Sequence, residues 1–550
     1  MKKSFFVVLT FLITLIGNPS LGQQSKYSWE NLPVIERPIF KKDTFNIVDF
    51  GAKDDGLVLN TGSINQAISA CSEKGGGVVL IPPGIWETGP IVLKSNVDLH
   101  ISRSALLQFT DDKRQYHLVE GNFEGKRAVR NQSPISGTGL ENIAITGEGI
   151  IDGHGEVWRA MGKSRVTEKE WKNLIKGGVL SDDGKTWYPS QSYAEGVNRV
   201  AAGTVSDNKA IKDYQPMKDF FRPNLLVLTN CKYVLLEHVT FQNSPAWCLH
   251  TLLCEQVTFN NVKVRNEANA QNGDGMDIES CRYVKVENCT LDCGDDGICI
   301  KSGKDEEGRK RARPSCYIVI RNNTVYKAHG GFVIGSEMSG GAHDIFVSDC
   351  LFIGTSAGLR FKTVRGRGAI VENIFIRNIG MRSILGDAIT FDMYYFTKAP
   401  ILAQTGEQLD IPEVSETTPQ FRNFYIENIV CDGAARAMFF RGLPEMNLKE
   451  IHVDGARIVS KEGIELVDAS KISLKNISLS CKSTSSLIHI ENSSKIQFDH
   501  LISNQPTTTL FTIDGNRANE ISLSHSPQIK TLNKNLFRYG AKEKALTIIE

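Results

Sequence analysis

The chain repeats itself, and this repetition constrains the fold more than any other feature. CKYVLLEHVTFQNS from Cys231, CEQVTFNNVKVRNE from Cys254, CRYVKVENCTLDCG from Cys281 and CYIVIRNNTVYKAH from Cys316 are variants of one unit. Further copies read LENIAITGEGIIDG, HDIFVSDCLFIGT, VENIFIRNIGM, FRNFYIENIVCDG, LKEIHVDGARIVS and SKISLKNISLSCK, and most starts lie 22 to 28 residues apart. Each carries short alternating runs of β-branched and aliphatic residues ended by Asn, Asp or Gly, without helical periodicity. Such units cannot bury a face alone and must stack, so the pattern predicts a β-solenoid. The 550 residues then form one elongated domain rather than several.

Stacking gives the repeated residues structural meanings. The twelve cysteines permit either full disulfide pairing or an interior column of small apolar groups, and their repeat spacing favours the column. The recurring asparagines are expected at turns, satisfying backbone groups. Ahead of the coils, TGSINQAISACSEKGGG places Ile64, Ala67, Ile68 and Cys71 at helical spacing before a glycine stop, which predicts a short capping helix at the open end. A polar insertion over about 155–222, carrying Trp158, Trp171 and Trp187, is either a surface excursion with its own small core or a wall beside a binding site.

Lys2 and Lys3, the apolar run FFVVLTFLITLIG and the small-residue site Ser20-Leu21-Gly22 read as a secretory signal over 1–22. A 23–43 extension and a 44–550 solenoid follow. No later stretch approaches 18 apolar residues and no cysteine directly follows the run. The expected location is therefore the periplasm or the medium, without membrane attachment. The net charge of +1 supplies no field for nucleic acid, and the basic run GRKRARP is offset by the adjoining DEE.

Aligning DGMDIES from Asp274, DGICIKS from Asp296, GGFVIGS from Gly330 and AGLRFKT from Ala357 lays four strands over one another. Alternation sends Met276, Ile278, Ile298, Ile300, Phe332, Ile334, Leu359 and Phe361 inward, and Asp277, Glu279, Lys301, Arg360 and Lys362 outward. Asp274 and Asp296 then share a column, as do Asp295 and His329, each pair about one ~4.8 Å rung apart. Carboxylates that close cannot all ionise, so one should keep a proton, as a general acid requires. The plainer alternatives are turn aspartates, calcium ligands, a turn histidine, and cations that only balance the acidic charge.

These residues resemble glycoside hydrolase family 28, the polygalacturonases and their relatives. The family's Asn-Thr-Asp looks like NGD at 272–274, its paired aspartates like Asp295-Asp296, its Gly-His-Gly like Ala328-His329-Gly330, and its Arg-Ile-Lys like Arg360-Phe361-Lys362, all in order. Gly273 and Ala328 depart from the pattern without removing a charge. The resemblance runs from NIVDFGAKDDG to DMYY at 392–395. It implies a single-stranded right-handed parallel β-helix of the pectin-lyase-like kind. It makes Asp295 the general acid, gives Asp274 and Asp296 the attacking water, and lets His329 tune Asp295. It implies substrate contacts by Arg360, Lys362 and Tyr394, with His250 and Lys301 as further cleft candidates, and no metal or cofactor.

The substrate implied is a pectic polysaccharide or oligogalacturonide, cut by a monomer. The family inverts configuration, whereas carboxylates one rung apart would suggest retention by the usual separation rule. Segments such as IKSGKDEEGRKRARPS, HGGFVIGSEMSGG and KTVRGRGAIVENI look closest to the bacterial exo-acting branch, and loops 155–222 and 303–315 are placed to close one end of the groove. Rival readings are a rhamnogalacturonan hydrolase or side-chain α-galacturonidase of the same family, a calcium-dependent pectate lyase, and a noncatalytic glycan-binding solenoid.

Overall fold

Strands of one coil pair in parallel with those of the next, from Thr44–Asn46 at one end to Leu546–Ile549 at the other. The computed structural model describes residues 25–199, 210–398, 411–482, 486–504, 508–526 and 534–549, so the expected signal at 1–22 lies outside the described residues. A coil contributes three strands in turn. Leu249–Leu252, Glu255–Asn260 and Lys263–Arg265 pair with Met276–Glu279, Arg282–Glu287 and Thr290–Asp292 of the next coil. The result is a right-handed parallel β-helix.

The register matches the alignment. Met276, Ile298, Phe332 and Leu359 are successive partners, as are Ile278, Ile300, Ile334 and Phe361, and all eight are fully buried. Aromatic packing thickens the core further along, where Phe361 lies 4.4 Å from Phe391 between ring centroids. At the turns Asn261, Asn288, Asn378 and Asn428 adopt left-handed backbone, which asparagine tolerates better than most residues. Their amides link neighbouring coils: Asn428 Nδ2 donates to Asn378 Oδ1 at 2.8 Å and Asn288 Nδ2 to Asn260 Oδ1 at 2.9 Å.

All twelve cysteines are buried free thiols. Cys231, Cys254 and Cys281 form the expected interior column, each of the first two donating its backbone N–H to the next sulfur at 3.4 and 3.3 Å. Cys316 departs from it. Its strand partner is Arg282, one residue out of step, and the fully buried Ser315 takes the interior place. The inserted helix just before it shifts the frame that the shared cysteine suggested.

Helix α1 (Thr61–Glu73) caps the N-terminal end with Ile64, Ala67, Ile68 and Cys71 buried beneath it. Residues 25–43 run along the outside of the coils, where Trp29 packs edge-on to Phe346 and Arg37 meets Glu237 at 2.7 Å. In the insertion, helices α2 (Glu168–Leu174) and α3 (Gln191–Arg199) accompany a small antiparallel sheet of Met161–Gly162, Thr186–Tyr188 and Val179–Leu180. Its Tyr214, Met217 and Phe221 pack with Val129 into a second small core. Val129 belongs to an antiparallel hairpin, Leu118–Phe123 with Lys126–Asn131, which the repeat pattern did not foretell.

Candidate active site

The start of the strand face gathers the acids. One carboxylate oxygen each from Asp274, Asp295 and Asp296 lies within 4.8 Å of the others. Asp274 stands one rung from Asp296, whose carbonyl accepts from Gly275 N, and His329 N donates to the Asp295 carbonyl at 2.8 Å. The repeat thus delivers both columns to one edge of one face.

Their environments differ. Asp296 is 1% exposed, with Lys362 Nζ 2.6 Å from Oδ2 and Arg360 Nη1 3.2 Å from Oδ1. Burial works against its ionisation, but Lys362, Arg360 and Lys301 outweigh burial and hold the carboxyl below the usual range. Asp274 is buried with only Lys301 nearby, at 3.9 Å, and burial followed by the charges of Asp277 and Asp295 holds it well above that range. Asp277, fully buried with neither oxygen hydrogen-bonded among the described residues, is pushed up to about 8 by burial, with Lys301 at 3.4 Å opposing. A proton therefore stays in this cluster while Asp296 is anionic.

Asp295 is the partly exposed member. Its Oδ1 lies 2.9 Å from His329 Nδ1 and accepts from Asp296 N at 2.9 Å. That hydrogen bond, against the cost of burial, raises the His329 pKa. The three carboxylates are close enough to share a cation, but Lys362 and Arg360 already meet both oxygens of Asp296. Asp499, His500 and His525 converge similarly on the surface of a late coil.

Three expected substrate contacts are placed elsewhere. His250 is fully buried, its Nε2 3.0 Å from Glu279 Oε2 and its ring edge-on to Trp247, so it lies beneath the cleft rather than lining it. Lys301 is 4% exposed, 4.6 Å above the Trp247 ring and shared among Asp274, Asp277 and Glu337; its charge is spent inside the protein. Tyr394 is buried with its hydroxyl 3.2 Å from Arg365 Nη2. Asp392 Oδ1 accepts from Tyr394 N and turns the chain, which leaves the next residue, Tyr395, facing the cleft cations. The Tyr395 ring lies 4.9 Å from Lys362 Nζ and 5.6 Å from the Arg360 guanidinium. The doubled tyrosine at 394–395 was the available signal, one position off.

A hairpin packs on the coil that precedes Asp274. Trp247 precedes Asp274 by one rung, and Phe123 from the hairpin tip stacks on it at 5.6 Å. The tip is fastened to helix α4 (Asp305–Arg311): Lys304 N donates to Gly125 O, Lys126 pairs with Asp305, and Arg127 N donates to Glu307. The 155–222 insertion supports this wall from behind through Tyr214, Met217 and Phe221, and Arg222 bonds Gln271 O and Asn272 Oδ1 just before Asp274. It is thus both a small core of its own and a buttress.

Residues 175–418, which span the four motifs, match the profile described as "Glycosyl hydrolases family 28". This match covers somewhat less than half of the chain. The chain is similar to "Exo-poly-alpha-D-galacturonosidase" of Dickeya chrysanthemi, 29% identical over 359 residues that cover 64% of this chain and 57% of the other. It is likewise similar to "Probable polygalacturonase" of Vitis vinifera, 29% identical over 349 residues covering 62% and 61%. The chain thus spans about three fifths of the length of these relatives. Among solved structures, the exopolygalacturonase of Thermotoga maritima superposes with a TM-score of 0.65 at 28% identity, covering 86% of this chain and 94% of that one.

Proposed function

We propose that the protein hydrolyses α-1,4-linked galacturonosyl bonds at the end of a pectic chain, outside the cytoplasm, with inversion. The observation that carries this reading is the division of labour among the carboxylates. Asp296 is kept anionic by two cations, Asp274 lies in a protonated environment, and Asp295 reaches solvent beside His329. Asp295 protonates the leaving oxygen, the anionic Asp296 takes a proton from the attacking water, and Asp274 helps to orient that water.

Water attack, rather than attack by a carboxylate, follows from access. Both Asp296 oxygens are engaged by Arg360 and Lys362, and Asp274 is 3% exposed, so neither presents a free oxygen to the anomeric carbon. This lack of access outweighs the short carboxylate separation. Arg360, which keeps partial exposure, and Tyr395 face the incoming uronate. The Phe123–Trp247 stack, one rung before Asp274, supports chain-end action. Among the described residues no helix is long and apolar enough to cross a membrane.

Asp295→Asn keeps the shape and removes the transferable proton. Its rate on polygalacturonate should fall by roughly 10²–10⁴-fold, with folding verified by circular dichroism. An unchanged rate would remove Asp295 from the mechanism.

A further inference from the structure

Behind the wall, on the side away from the acids, the hairpin roofs a cavity of about 690 Å³ over the outward faces of the two preceding coils, with Ser136 and Val227 in its floor. Its size falls within the ~300–1,000 Å³ usual for small-molecule sites. The Phe123–Trp247 stack packs one rung before Asp274, and Arg311 in the cavity lining pairs with the buried Glu279, while the floor residue Val227 lies two rungs before Asp277.

We propose that this cavity is a second, noncatalytic binding site for a small hydroxylated carboxylate, a sugar acid, with Arg130 as its anchor. Arg130 is 8% exposed, lies 3.8 Å over the Phe123 ring, and donates to the Arg222 carbonyl. Among the described residues no carboxylate forms an ion pair with it. Glu124 pairs with Lys304, and the two glutamates at the cavity rim, Glu120 and Glu307, face Arg127 and Arg311. The neighbouring cation, Arg222, is bonded only to neutral oxygens. Burial, and then the charge of Arg222, lowers the Arg130 pKa to about 9. A buried cation in this state is stabilised by an anion that reaches it.

The remaining chemistry specifies hydroxyls. Asn131 and Asn224, 1% and 4% exposed, line the cavity, yet their side-chain oxygens accept no hydrogen bond from any described residue. Asn131 spends its amide N–H groups on Lys218 O and Phe221 O, so its oxygen is left to accept. The Asn122 oxygen in the roof is also unpartnered. Amide acceptors flanking a cation suit a ligand with hydroxyl donors and one carboxylate. That assignment comes from the cavity and not from the catalytic reading.

The test is equilibrium binding of free galacturonate to the full chain, with galactose as the neutral control. Two sites are expected: one lost in Arg130→Gln and in Val227→Trp, which fills the cavity floor, and the other lost in Arg360→Ala. Galactose should bind the Arg130 site at least tenfold more weakly. A tetragalacturonide that competes at the Arg130 site identifies chain ends as its ligand, and one that does not identifies the free monosaccharide. A single site unaffected by either cavity variant, or no galacturonate binding, overturns the proposal. If Arg130→Gln does not fold, Val227→Trp decides. A wild type with a single site, removed by the cavity variants and untouched by Arg360→Ala, would fault the catalytic reading and leave this one standing.

Discussion

Phe123 stacks on Trp247, and Trp247 lies one rung before Asp274, so a hairpin tip ends the groove beside the acids. The proposed chain-end action rests on this contact. Gly121 and Ala128 face each other across the hairpin, so residues 122–127 can be replaced by Asn-Gly, which closes a two-residue turn. This variant should lose viscosity faster per bond cut and release mid-length oligomers early. A product profile still dominated by mono- or disaccharide from the start would show that the hairpin does not set it.

Arg360 and Lys362 both hold Asp296, but Lys362 is the buried partner. Lys362→Ala should therefore lower kcat and cost about 3–5 kcal/mol of stability, because it strands a buried carboxylate. Arg360→Ala should act mainly on kcat/KM, by roughly 1.5–3 kcal/mol, with little change in melting. Methyl esterification of the substrate should mimic the Arg360 loss in the wild type. Equal melting shifts in the two variants would contradict this division.

Asp277 gives the stability a definite pH slope. Its carboxyl is pushed up to about 8 by burial, above its unfolded value near ~4. The native state therefore binds the extra proton, and stability is fully present below ~4 and lost as pH rises through about 8. Asp277→Asn should flatten the decline in melting temperature between mildly acidic and mildly alkaline pH. Identical slopes in variant and wild type would place the proton elsewhere.

His329 titrates above its ordinary value because of its hydrogen bond to Asp295. The pair's contribution is complete below the free imidazole pKa and is lost as pH rises through the raised one. Wild-type activity should fall along that alkaline limb, and His329→Gln should be slower throughout and lack the limb. A superimposable pH profile would remove His329 from the reaction.

Much of this was legible in the sequence because a solenoid converts periodicity into position. The shared glycines set Met276, Ile298, Phe332 and Leu359 in register, and that placed Asp274, Asp295, Asp296, His329, Arg360 and Lys362 together. Residues outside the repeat were not legible. The hairpin carrying Phe123 pairs locally and meets Trp247 only through tertiary packing. His250 and Lys301 point outward as alternation requires, but Trp247 covers both. Tyr394 and Tyr395 follow the last residue of a strand, where period two no longer says which side a residue faces.

The central claim is hydrolysis of a galacturonosyl bond by water, and proton NMR of polygalacturonate in the first minutes of digestion tests it most directly. Saturated mono- or disaccharide ends should appear first as the β-anomer. Vinyl protons of an unsaturated product, α-anomeric ends formed first, or no cleavage at all would contradict it.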